Sequence, residues 1–192
     1  HQRQRHPQRL RESGYRYLRD YLGFQMRHTG ILRIDHVMGL HRLYWIPAGH
    51  EPSEGAYVTY NPDELYAIFC LESHRHKTVL VGEDLGTVPP EVPKRMARHG
   101  FSRMYVVQYS LQPKRSRALS SPPANCVASL NTHDMPSFAA FCQSLDIMDR
   151  AALGLIPSES VDKERRTREQ LLQTLRTFLT RRGLLAENER EL

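Results

Sequence analysis

An α/β fold built from parallel β/α units is the architecture this sequence predicts, and three features point to it. Short apolar runs alternate with helical segments along the chain. The runs are close to continuous, the pattern of strands covered on both faces. Three of the four lead into a carboxylate, and barrel enzymes place reactive groups at the C-terminal ends of several different strands. An open doubly wound sheet fits the alternation too. No G-x-G-x-x-G or G-x-x-x-x-G-K-[ST] stretch follows any run, however, which disfavours a nucleotide-binding sheet. The prediction is a partial (β/α)8 TIM barrel comprising about the middle-to-C-terminal four strands, because closure takes eight strands and about 250 residues is usual.

Residues 10–27 read as a helix with Tyr17, Leu18, Tyr21 and Leu22 on one face and Gly30 beyond its end. The predicted strands are 31–35, 78–83, 104–109 and 126–131, the last running into Thr132-His133-Asp134. Between them, 61–74 carries Leu65, Ile68, Phe69 and Leu71 at near-helical spacing. Pro62 suits its first turn, where the missing N–H has no partner to lose. A shorter helix is expected over 90–99, closed by Gly100. A long one is expected over 161–182, with Leu171, Leu172, Leu175, Phe178 and Leu179 on one face and Gly183 as its stop. Segments 48–55 and 112–124 read as loops, the second rich in Ser, Pro and basic residues.

The 192 residues suffice for one domain with a hydrophobic core, and 40% hydrophobic with 25% charged residues is ordinary for a globular chain. No apolar run approaches the roughly 20 residues of a membrane helix. The formal charge is +6 and the pI about 9.4. Seven arginines lie in the first 30 residues, against Glu12 and Asp20. A basic module for nucleic acid or protein is one reading of that start. A solvated helix face is the other, and no nucleic-acid motif accompanies the charge. Cys70, Cys126 and Cys142 are odd in number and lack C-x-x-C spacing, which argues against a disulfide framework or zinc cluster and for a reducing, cytoplasmic setting. His74-Arg75-His76 has metal-like spacing without a nearby third ligand, so a solvated helix end is expected and no metal is assigned. The first residue is His and no signal-peptide core follows it. The chain is expected to be one fragment, 1–192, of a single barrel domain, with N-terminal strands and the last strand missing.

Residues two apart in a strand share a face, so Arg33 and Asp35 point the same way. A guanidinium beside a carboxylate keeps it ionised, as a nucleophile requires. Glu83 continues the row of Val79 and Val81, and an apolar setting suits a general acid. Two carboxylates held in opposite states are the arrangement of a glycosidase-type site. Each also has a plainer reading: Arg33–Asp35 as a strand-end ion pair, and Glu83 with Asp84 as turn caps.

Residues 33–40 (Arg-Ile-Asp-His-Val-Met-Gly-Leu) and 43–47 (Leu-Tyr-Trp-Ile-Pro) resemble the nucleophile segment of the amylomaltase and disproportionating-enzyme family of 4-α-glucanotransferases. Residues 55–58 (Gly-Ala-Tyr-Val) are similar to a following segment. Residues 81–89 (Val-Gly-Glu-Asp-Leu-Gly-Thr-Val-Pro) resemble the acid/base segment, and 132–136 (Thr-His-Asp-Met-Pro) the segment with the third carboxylate. Any one match, such as Thr-His-Asp, is weak; the ordered set, spread over most of 14–190, is specific. The resemblance implies an α-amylase-clan barrel that needs no cofactor. It implies Asp35 as nucleophile, Glu83 as general acid/base, and Asp134 as a carboxylate on the hydroxyls of the sugar being cleaved. Arg33 would orient Asp35 and His133 would contact the same sugar; His36 matches the motif with no role assigned. The implied partners are maltooligosaccharides and other α-1,4-glucans, not nucleic acid or membrane, and oligomeric state is unknown. An α-glucan hydrolase of the same clan shares the three carboxylates. The wording of 81–89 and the 48 positions between Asp35 and Glu83 favour the transferase. Without the remaining strands the isolated segment is expected to be inactive. Tyr44, Trp45, Tyr57 and Tyr60 are candidates for stacking on sugar rings; core packing is at least as good a reading for the first two, and the other two read as part of a loop near the cleft.

Overall fold

The computed structural model describes residues 6–113 and 118–186. The chain divides into two compact units, His1–Met104 with Ala124–Val127, and Tyr105–Pro123 with Ala128–Leu192. The first five residues, the end of the chain from 187, and 114–117 of the expected loop lie outside the described residues.

In the first unit the helix expected over 10–27 is two helices, α1 (Pro7–Glu12) and α2 (Arg16–Met26). Gly14 (φ +59°) and Tyr15 (φ +56°) are both left-handed and turn the chain between them. The Tyr15 N–H closes α1 on the Leu10 carbonyl at 2.8 Å, and its hydroxyl donates to Glu64 at 2.5 Å. Glycine in that conformation is a common helix stop. On α2, Leu22 and Met26 are buried, whereas Tyr17 and Tyr21 stay exposed.

Strand β1 (Ile31–Ile34) pairs in parallel with a later strand, β4 (Val79–Gly82), in the register Ile31–Val79 through Ile34–Gly82. Helix α3 (Pro62–His76) connects toward β4 and contains buried Leu65, Tyr66 and Phe69. Asn61 caps it by accepting the Glu64 N–H at 3.4 Å, and Pro62 opens the first turn as expected. Helix α4 (Glu91–Arg98) follows β4 and buries Val92 and Met96 completely. A parallel bridge joins Val81 to Ser102. Coverage on both faces, expected for these strands, is incomplete: Ile31 is 59% and Val79 51% exposed. Among the described residues β1 has a strand partner on one edge only.

A hairpin that the sequence reading leaves unassigned lies between β1 and α3. After a 3-10 turn (Val37–Leu40), β2 (Arg42–Trp45) pairs antiparallel with β3 (Ala56–Thr59). Tyr57, expected in a loop, is therefore in a strand. Its signal was present as two four-residue β-prone runs, Arg-Leu-Tyr-Trp and Ala-Tyr-Val-Thr, around a turn-rich stretch.

Strand β5 (Arg103–Val106) is shorter than the expected 104–109, because Val107–Ser110 turns into the short helix α5. It pairs with β6 (Cys126–Ser129). In the second unit α6 (Phe138–Cys142), α7 (Leu145–Ala152) and α8 (Ser158–Arg181) follow. Arg168 of α8 ties these three together. Its guanidinium forks onto both oxygens of Asp146 at 2.9 Å each, donates to the Phe141 carbonyl at 2.6 Å and lies 3.6 Å from the Phe141 ring centre. The fork holds the Asp146 carboxyl below its ordinary value. Among the described residues no helix is long and apolar enough to cross a membrane.

Candidate functional site

The register of β1 and β4 sets the site. Ile34 and Gly82 are partners, so Asp35 and Glu83 follow at the same, C-terminal, end of two neighbouring parallel strands. Adjacent strands run about 4.8 Å apart. The ladder continues one step further through the Glu83 N–H to the Ile34 carbonyl at 2.9 Å.

Arg33 and Asp35 share a face, as period-two alternation requires. Arg33 Nη1 donates to Asp35 Oδ1 at 2.7 Å, and its Nε donates to Met104 Sδ at 3.4 Å. The Asp35 side chain is 77% exposed and open to an incoming group. His36 then takes a left-handed conformation (φ +47°), uncommon for a residue with a Cβ. That conformation turns its backbone N–H onto Glu83 Oε2 at 2.9 Å. The Leu85 N–H holds Glu83 Oε1 at 2.8 Å, and the Val37 N–H takes the Glu83 carbonyl at 3.0 Å. Backbone strain beside reactive groups is a common feature of active sites.

The apolar row expected to lead to Glu83 is not continuous, because Val79 is exposed while Val81 is buried. Glu83 is instead positioned by peptide groups. These donors were invisible to a reading of side-chain types. Gly82 was readable in principle, since glycine inside a strand marks a close approach. A Cβ there would lie 2.8 Å from Met96 Cε and 2.9 Å from Val37 Cγ2, so only glycine lets α4 and the turn after β1 close on this strand end.

Asp84, one residue beyond Glu83, points the other way, as alternation along a strand requires. Its side chain is fully buried, accepting from Arg103 Nε at 2.5 Å and the Met104 N–H at 3.1 Å. It ties the end of β4 to β5. In the second unit, Asp134 lies beyond the end of β6, in a turn closed by the Met135 N–H on the Thr132 carbonyl at 3.2 Å. Asn131 steadies the turn through Pro136 at 3.0 Å. His133 Nε2 lies 3.3 Å from Asp134 Oδ2, and both side chains are exposed. The structure thus brings Arg33, Asp35 and Glu83 together in one unit and His133 with Asp134 in the other.

The remaining candidates have structural surroundings. His76 lies 3.7 Å from the buried Glu72, which Arg75 also holds at 2.8 Å. Cys70 donates to the His99 carbonyl at 3.4 Å, and burial pushes its thiol up, away from nucleophilic use. All three cysteines are free. In the Arg-rich start, Arg11 is paired with Glu64 at 2.9 Å and Arg19 lies 3.8 Å from Glu72, which offsets part of the local charge.

Comparison with known proteins identifies the family. The profile described as 4-alpha-glucanotransferase matches residues 4–190. The chain is 36% identical over 173 residues to a 4-alpha-glucanotransferase of Haemophilus influenzae, covering 88% of this chain and 25% of that protein. It is 37% identical over 189 residues to one of Mycobacterium bovis, covering 94% and 26%. Among solved structures it resembles the amylomaltase of Corynebacterium glutamicum, with TM-score 0.82, 29% identity, and 94% of this chain but 26% of that one covered. It also shares the fold of an amylomaltase from Streptococcus agalactiae solved in complex with acarbose, at TM-score 0.60 and 18% identity. In architecture, then, the chain is an α/β segment of the amylomaltase kind. It belongs to the 4-alpha-glucanotransferase family, and it spans about a quarter of the length of the curated relatives it matches.

Proposed function

We propose that this chain is the catalytic segment of a retaining 4-α-glucanotransferase, which moves α-1,4-glucan segments onto the 4-hydroxyl of an acceptor glucan. The observation that carries the reading is the placement of Asp35 and Glu83 at the same end of two paired parallel strands. Asp35, charge-paired with Arg33 and open to solvent, is the nucleophile. Glu83 is the general acid/base, with its carboxylate aimed by the His36 and Leu85 N–H groups. Asp134 and His133 bind the sugar at the point of cleavage.

In the first step Glu83 gives its proton to the glycosidic oxygen while Asp35 attacks the anomeric carbon. The glycosidic bond breaks, the leaving glucan departs with the proton, and a covalent glucosyl-enzyme forms. Glu83, now ionised, removes the proton from the acceptor 4-hydroxyl. That oxygen displaces Asp35, and two inversions restore the α linkage. A retaining site of this type has its two carboxyl groups about 5–5.5 Å apart.

The same reading makes the chain part of one (β/α)8 barrel domain, with the remaining strands supplied by the rest of a longer protein. Support comes from the parallel β1–β4 pair, the Val81–Ser102 bridge and the share of the relatives' length that is covered. A cytoplasmic location accords with the three free cysteines. Maltooligosaccharides are the proposed substrates.

Incubation of the full-length protein with maltotriose tests the activity: glucose plus longer oligosaccharides means transfer, and only glucose and maltose means hydrolysis. Substitution tests the roles. Glu83→Gln is expected to slow turnover of natural glucans by about 100-fold or more and to spare substrates with activated leaving groups, which need no proton. Asp35→Asn is expected to abolish turnover of both and to leave no covalent sugar detectable by mass spectrometry. Parent-like activity of Asp35→Asn would refute the assignment.

A further inference from the structure

The β2–β3 hairpin carries an aromatic surface that the three carboxylates do not account for. Tyr44 and Tyr57 are cross-strand partners, with ring centres 5.1 Å apart in an edge-to-face arrangement. The Arg42 guanidinium lies 4.3 Å from the centre of the Tyr57 ring. Although it contacts both the Arg42 guanidinium and the Tyr44 ring, Tyr57 is 59% exposed as a residue. Its supports are fixed in turn. The Tyr44 hydroxyl donates to the Pro52 carbonyl at 2.7 Å. The Tyr44 ring also lies so close to Gly55 that a Cβ there would come within 2.5 Å of it. The intervening turn is held by the Glu51 N–H on Glu54 Oε2 at 2.8 Å and by the Glu54 N–H on the Glu51 carbonyl at 2.9 Å. Holding the ring in this way removes most of the ordering cost of binding.

We infer that Tyr57, backed by Arg42 and braced by Tyr44, is a sugar-stacking platform that engages an α-1,4-glucan chain at a residue removed from the bond being cleaved. The inference rests on the glucanotransferase reading of the Asp35 site. The flat side of a glucopyranose presents C–H groups that match the face of an exposed tyrosine ring, while its hydroxyls remain in water. A glucan repeats that face along its length, so a single fixed ring suffices. The hairpin leaves directly from the nucleophile strand. Arg42 follows Asp35 by seven positions, four of them in the Val37–Leu40 3-10 turn. At about 2 Å per residue in the turn and about 3.5 Å elsewhere, Arg42 lies at most about 20 Å from Asp35. A chain of several glucose units covers even that upper limit. In this proposal a glucan long enough to engage both the Asp35 site and the Tyr57 ring gains affinity over one that engages the Asp35 site alone.

The test uses the full-length protein and measures dissociation constants for maltotriose, maltoheptaose and soluble amylose by calorimetry or affinity electrophoresis. Tyr57→Leu, which keeps apolar bulk on an exposed strand position, is expected to weaken maltoheptaose and amylose about tenfold. Maltotriose is expected to be weakened less. Tyr57→Trp and Tyr57→Phe, which keep a flat ring, are expected to stay near the parent. Circular dichroism of each variant checks the fold, and a misfolded Tyr57→Leu would be replaced by Tyr57→Thr, a good strand residue without a ring. Parent-like amylose affinity in a folded ring-free variant would overturn the platform while leaving the Asp35 site untouched. Equal weakening of all three sugars would overturn the gain for longer glucans. A parent that binds no glucan would sink the glucanotransferase reading, and the platform with it.

Discussion

Among single residues, Gly82 shows how backbone space positions the carboxylate proposed as the acid/base. It is the last residue of β4 and stands immediately before Glu83. Met96 Cε would yield to an added methyl because it ends a flexible side chain. Val37 would not, since it is β-branched and fully buried, with its Cβ only 3.1 Å from the added atom. Gly82→Ala is therefore expected to cost about 1–3 kcal/mol by overpacking. Urea denaturation measures the loss. Combining it with Val37→Ala should give a total smaller than the sum of the two single losses, because the second substitution opens the space that the first needs. Strict additivity would mean that the strain lies elsewhere. What the sequence could express at this scale was side-chain identity. The strand-end positions of Asp35 and Glu83 were legible because alternation and strand ends are properties of residue types. The His36 and Leu85 N–H groups were not, because every residue but proline carries one and only the fold says where it points.

At the level of elements, α6, α7 and α8 are held through Arg168. The linkage gives a pH dependence of definite sign. Asp146 has a folded value below its ordinary 3.8, chiefly because of the hydrogen bonds from Arg168. Its contribution is complete at neutral pH and is lost as the pH falls below the ordinary value and through the lower folded one. Asp146→Asn is expected to destabilise by about 2 kcal/mol at pH 7, since it leaves the largely buried Arg168 without its counter-charge. The gap between parent and variant should hold near neutral pH and narrow as the pH falls below the ordinary 3.8 in thermal melts. A gap that stays constant would mean that Asp146 titrates alike folded and unfolded. Elements were legible in proportion to their periodicity. The long helix α8 was found within a few residues of its ends. The α1–α2 break was missed because the apolar pattern runs on across it, and the turn depends on two consecutive left-handed residues. The β2–β3 hairpin was missed because its aromatic run also reads as core or as sugar contact. The end of β5 was overrun because Val107 and Tyr109 favour strands, yet both sit in a helical turn.

For the molecule as a whole, β1 offers an edge with no strand partner among the described residues, next to the proposed nucleophile. Ile31, Val79, Phe24, Tyr17 and Tyr21 are all more than half exposed. Open edges and contiguous apolar surface favour association. The 192-residue segment expressed alone is expected to scatter light at micromolar concentration and to be inactive on maltotriose; the full-length protein should do neither. A monodisperse, active segment would contradict the partial-barrel reading. The α/β class was legible because it rests on alternation along the whole chain. Strand coverage was not, because it depends on what packs against each face.

The two peptide groups on Glu83 have a stereochemical consequence. A carboxylate has two lone pairs on each oxygen. The His36 N–H occupies one direction at Oε2 and the Leu85 N–H one at Oε1. In the proposed role, an acidic proton on Glu83 can sit only along a direction that neither donor holds. The backbone therefore sets the bearing of proton delivery as well as the place of the acid. In that role, a glycosidic oxygen that arrives along an occupied bearing would meet an N–H hydrogen and receive no proton, so a misoriented sugar would be rejected by the fold itself.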